Sequence, residues 1–204
     1  MATDNGGRST TSETLGVTVG ATISTSQLHP TDDGTLRESA PTAVSNWREV
    51  EAYGKPGAQN VALLKFDVSA SKGTGHEVRS AILKMYAAQT KNLPGTFAVH
   101  STTGCADWSE NSVNWQNGPK KVSTPLATAA VDEKGTWIEF DVTSYVANHV
   151  ADSSLSSSIT FWVSEASGLT YKLVKFTSGR ASNTNKSRPT LTYINHESTP
   201  ILYP

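Results

Sequence analysis

The sequence predicts an all-β domain, an antiparallel sandwich of jelly-roll type with at most one or two short helices. Period-2 alternation of apolar and polar residues recurs in many short runs, turn-forming residues separate those runs, and helical periodicity shows in one short stretch. The 204 residues include 15 Gly and 9 Pro, with only 17% charged residues. That balance suits many turns and half-exposed strands. The length fits one β domain able to bury a core without staples.

The first residues, 1–14, are polar and rich in Gly, Ser and Thr, and read as a flexible segment ahead of a single domain over 15–204. Alternation begins at Leu15, Val17 and Val19, followed by Ala21 and Ile23. Ser24 to Ser45 is polar and reads as a long loop holding His29-Pro30-Thr31-Asp32-Asp33-Gly34, interrupted by a short strand near Leu36. The clearest strand runs from Val61 to Val68, with Leu64, Phe66 and Val68 toward the core and Leu63, Lys65 and Asp67 away from it. In Ser80 to Tyr86, Ala81, Leu83 and Met85 share one face, and Ile82, Lys84 and Tyr86 share the other. Further strands are expected at 96–100, 136–142, 158–164, 171–176 and 190–194. Val142 to Val150 reads as a short helix, with Thr143 as its cap and Val146 and Val150 on one side. Ser109 to Trp115 has room for one further turn.

The formal net charge is −1, which argues against nucleic acid as a partner. The lone cysteine, Cys105, permits no intrachain disulfide and reads as a small buried or loop thiol. Met1 to Thr18 lacks a signal-peptide pattern, and no apolar run approaches the ~20 residues that cross a membrane. The histidines are scattered, with no H-E-x-x-H, G-x-S-x-G elbow, P-loop or G-x-G-x-x-G, and no catalytic residues are assigned.

Several stretches together resemble an extracellular carbohydrate-binding family, the domains named after a DNRLRE motif, one branch of which binds alginate and related acidic polysaccharides. They are Leu63 to Val68, Ser80 to Tyr86, Asp107-Trp108-Ser109-Glu110, Val113 to Pro119, Trp137 to Thr143, Phe176 to Arg180, and Arg188 to Leu191. In order and spacing they span roughly two thirds of the chain, and the W-S-E…W-x-N-x-P run is the specific part. The name-motif itself shows only as Leu36-Arg37-Glu38-Ser39, and Gln27 to Gly57 departs from the pattern. The resemblance implies a β sandwich, an extracellular or cell-surface placement with any leader outside this sequence, a polysaccharide partner, and a structural calcium of the kind common in jelly-roll modules. Asp32, Asp33 and Glu38 are the candidate calcium ligands; Asp-Asp-Gly also simply makes turns. A monomer is expected.

Period 2 nominates the binding residues. Lys65, Lys84, Tyr86, Trp162, Tyr171 and Lys175 point away from the core, and Arg180 joins them from the Phe176 to Arg180 stretch. On one sheet they would form an aromatic and lysine-bearing face suited to an acidic chain, with lysines meeting carboxylates and rings stacking on sugars. The plainer reading is that scattered lysines keep a sheet face soluble. Trp137 is also expected outward, whereas Trp108 and Trp115 are expected to pin the Asp107 to Pro119 connection. Two other functions compete: a structural or adhesive domain of a surface protein, and a polysaccharide lyase using Tyr171, His100 and Arg180. Glu139 and Glu165 are the carboxyls a glycosidase would need, but nothing singles them out.

Overall fold

A computed structural model describes residues 2–3, 9–10, 18–72, 76–104, 107–167, 170–181 and 188–201. Its strands are β1 (Ala2–Thr3), β2 (Ser9–Thr10), β3 (Thr18–Leu28), β4 (Asp32–Arg37), β5 (Glu49–Tyr53), β6 (Asn60–Asp67) and β7 (His76–Lys91). Then follow β8 (Gly95–Thr103), β9 (Lys120–Lys121), β10 (Ala127–Val131), β11 (Trp137–Asp141), β12 (Ser158–Glu165), β13 (Leu173–Thr177) and β14 (Thr190–Ile201), with one helix, α1 (Thr143–Ala151). Of the 1–14 segment only β1 and β2 are described, as an antiparallel pair; Cys105 lies outside the described residues.

The other strands form one curled antiparallel sheet in the order β10-β8-β12-β6-β5-β13-β7-β14-β3, with β11 on β7, β4 on β6 and β9 on β8. The curl is made within β7. Its residues up to Tyr86 pair with β14 and β11, whereas Ala87 to Lys91 pair with β13. One strand therefore serves both layers, and the curled sheet makes the two layers of an all-β sandwich.

Between the layers the alternation resolves into a core. Leu83, Met85, Phe140, Leu191 and Tyr193 meet Leu64, Phe66, Val99, Phe161 and Phe176. Phe66 and Phe161, and Phe97 and Phe176, meet edge to face at 5.9 and 6.4 Å, the arrangement that ring quadrupoles favour. Val146 and Val150 of α1 are buried as the helical spacing required. The cap differs from expectation: Val142 occupies the cap position, and Asp141 accepts from the Thr143 N–H at 2.9 Å and its hydroxyl at 2.6 Å. The Thr143 oxygen instead accepts from the Ala81 N–H.

The stretch expected as a long loop is corrected. Ser24 to Leu28 completes β3, paired with Leu191 to Asn195 of β14, and Asp32 to Arg37 is a full strand on β6. Ser24 to Leu28 is polar because one side faces water, whereas in β4 the polar Asp33 and Thr35 are buried and hydrogen-bonded. Both ladders come from their partners, which composition does not reveal. β5, β9 and β10 were likewise not anticipated.

A second cluster lies on the opposite face of β6. Leu36, Val61, Leu63 and Trp162 are covered by Trp108 and Val113, with Trp115 packed against them. The Asp107 to Pro119 connection supplies that cover. It is held by a turn from Ser109 O to the Val113 N–H at 2.8 Å and by Gln116 N–H to Pro41 O at 3.0 Å. Gly118 is needed for the close approach, because a Cβ there would lie 2.9 Å from Asn114 O and 3.0 Å from Leu36 Cδ1.

Candidate functional site

The connection over β6 removes two expected binding residues from the surface. Lys65 does point away from the main core, but its Nζ sits 2.8 Å from Asp32 Oδ2. It also donates to Trp108 O at 2.5 Å and lies 5.1 Å from that indole's centroid. Trp162 also faces outward by register, opposite Leu63 and His100. It is nevertheless 5% exposed, with Trp115 5.9 Å away. The expectation that both present themselves to solvent is corrected: period 2 gives the side of a strand, and a loop decides whether that side is wet.

The remaining candidates do not share one surface. On β13, Lys175 lies 3.2 Å from Glu51 and 3.8 Å from Glu49. Tyr171 precedes that strand in a left-handed conformation, φ 56°, its N–H bonded to Gly54 O and its carbonyl accepting from Asn92. Arg180 pairs with Glu110 and reaches Asn111 Oδ1 at 3.4 Å. No hydrogen bond joins any two of Tyr171, His100 and Arg180; His100 is buried, with Nδ1 at 2.9 Å from Val122 O. Glu139 and Glu165 line different clefts, so they do not flank a common bond.

The three expected calcium ligands do not fit an ion. Asp32 bonds Lys65 and the Glu110 N–H. Asp33, 1% exposed, accepts from the Ser178 hydroxyl at 2.8 Å and the Gly179 N–H at 2.5 Å. Burial pushes its carboxyl above the ordinary range, against the opposing pull of those bonds and of Arg180 and Arg188. Glu38 accepts from the Gln59 N–H beyond the far end of β4, about 20 Å along an extended chain from Asp32. Among the described residues no group of three or more His, Cys, Asp or Glu side chains is placed to hold a metal.

Lys84 and Tyr86 stand on the outer face of β7, where β11 pairs Trp137 with Tyr86 and Glu139 with Lys84. Directly opposed residues of an antiparallel pair share a face. The Trp137 and Tyr86 rings meet edge to face at 5.4 Å, and Lys84 Nζ lies 2.6 Å from Glu139 Oε1. Trp137 remains 41% exposed, and Gly135 of the preceding turn stands beside the Tyr86 hydroxyl. The face continues over Ile82, Thr192 and Gln27, paired across β7, β14 and β3. Alternation had marked Trp137 as outward without selecting it; the missing signal was the β7–β11 register, which sets it against Tyr86.

Beside this face lies a cleft of about 640 Å³, bounded by β10, β11 and the first turn of α1. Leu126, Thr128, Glu139, Asp141, Thr143 and Tyr145 line it. The Asp141 carboxyl is held below its usual range by the Thr143 bonds, and burial pushes the Tyr145 hydroxyl up. A second exposed indole, Trp47 at 68%, stands in the loop before β5, next to Asn46, whose amide bonds Asn111.

Residues 24–193 match the model of carbohydrate-binding module family 96. The chain is also 28% identical over 171 residues to a gellan lyase from Bacillus sp. The alignment covers 76% of this chain but 7% of the lyase, so the chain spans a small part of that relative's length.

Proposed function

The chain belongs to carbohydrate-binding module family 96, and from that premise we propose a non-catalytic module that holds an acidic polysaccharide, outside the cell, on the face of Trp137, Tyr86 and Lys84. The observation that supports this site is an exposed indole braced by a second ring, with an ammonium group on the neighbouring residue pair. The rings offer apolar area and π density to the C–H face of a pyranose. Lys84 offers a charge-assisted donor to a sugar carboxylate. The three lysines nominated by alternation are each paired with a carboxylate, Lys65 with Asp32, Lys175 with Glu49 and Glu51, and Lys84 with Glu139. Lys84 is the one beside the aromatic pair, on the neighbouring residue pair of β7 and β11.

Affinity electrophoresis through gels of gellan, alginate, polygalacturonate and a neutral glucan tests the reading. Retention is expected in at least one acidic gel. Lys84→Ala should weaken it roughly threefold to tenfold, about 0.6–1.4 kcal/mol, and flatten its salt dependence. Trp137→Ala should weaken it with the salt dependence kept, because stacking is not ionic. Retention by none of the acidic gels refutes the reading. Retention untouched by either substitution but lost in Trp47→Ala moves the site to the loop before β5.

A further inference from the structure

We propose that the cleft between β10 and β11 is a subsite for uncharged sugar residues, so that the module favours polysaccharides with spaced carboxylates over polyuronates charged at every residue. This rests on the binding face proposed above and specifies what lies next to it. The cleft is of the size that takes small ligands, roughly 300–1,000 Å³. It shares Glu139 with the aromatic face, so a chain lying on Trp137 and Tyr86 runs on into it.

The charges decide what fits there. Glu139 and Asp141 line the cleft, and no lysine or arginine does among the described residues. The nearby cation, Lys84, is already matched to Glu139 at 2.6 Å. The Thr143 N–H and hydroxyl both bond Asp141 Oδ1, and no donor among the described residues reaches Oδ2. Carboxylate oxygens accept sugar hydroxyls in charge-assisted hydrogen bonds, and Thr128 and Ser144 add further polar groups to the lining. A uronate entering the same space meets like charge instead. A carboxylate is therefore admitted at Lys84 only in exchange for Glu139, and is opposed one or two residues further along, in the cleft.

The test uses the same gels with polygalacturonate and its partly methyl-esterified form, which differ in carboxylate density on one backbone. Wild type should be retained more strongly as ester replaces free carboxylate. Asp141→Asn keeps an oxygen for Thr143 and leaves the Lys84–Glu139 pair intact. It should raise affinity for polygalacturonate about fivefold at low salt, the factor for one like-charge contact in water. Glu139→Gln should raise it further, since it also releases Lys84. Thermal melting confirms that both variants fold. Unchanged retention of both variants on polygalacturonate overturns the subsite. That result is separate from failure of the binding face, which Trp137→Ala reports in whichever acidic gel retains the wild type.

Discussion

Trp162→Ala separates a tryptophan that holds the fold from one that meets a ligand. The indole is 5% exposed and packs against Trp115 and the cluster of Leu36, Val61, Leu63, Trp108 and Val113. A buried tryptophan removes roughly 150–250 Å² from water, worth about 4–6 kcal/mol at 25 cal/mol per Å². Alanine keeps part of that area and leaves a cavity, so the expected loss is about 3–5 kcal/mol. For a chain of this size that corresponds to a fall in Tm on the order of 6–20 °C. The Trp162 Nε1–H is buried without an acceptor among the described residues, so Trp162→Phe discards a group that destabilises the fold. It should lose clearly less than alanine. Urea unfolding followed by circular dichroism measures all three proteins, with Trp137→Ala as the exposed comparison. A loss below about 1 kcal/mol in Trp162→Ala, matching Trp137→Ala, would show that the Asp107 to Pro119 connection does not cover β6, and the reasoning would fail.

Three other outcomes follow from the same contacts. Lys65→Ala should lose about 1.5–3 kcal/mol in urea unfolding, since it strips Asp32 and Trp108 O of a buried charged donor; a neutral result would mean that the lysine is solvated. Gly118→Ala should lose about 1–3 kcal/mol by forcing Asn114 and Leu36 aside, again read from the urea midpoint. His100 and His149 are held below the ordinary imidazole value, chiefly by burial. The unfolded chain therefore takes up protons first as pH falls below about 6.5, and stability should decline through that window until the folded pKa values are passed. Urea midpoints at neutral and mildly acidic pH measure this, and His149→Gln should reduce the slope; an equal slope would remove His149 from the account.

The sequence determined the class of fold and the inner faces of its strands. Alternation in Val61 to Val68 and Ser80 to Tyr86 put Phe66 and Leu83 in the core, where they are found, because a one-residue slip would have turned both of them out of it. The α1 register followed from Val146 and Val150 in the same way. The motif-bearing Asp107 to Pro119 connection was legible as a rigid piece pinned by two indoles. What it lies upon was not legible, since nothing local says that its tryptophans cover β6. That contact buried Trp162 and gave Lys65 a structural partner, while the β7–β11 register set Trp137 beside Tyr86 and Lys84. Polar strands such as Ser24 to Leu28 also escaped notice, because their hydrogen bonds come from β14 rather than from their own composition. A strand's pattern fixes which way each side chain points. Which of those directions ends in water depends on segments distant in sequence, and only the tertiary structure brings them together.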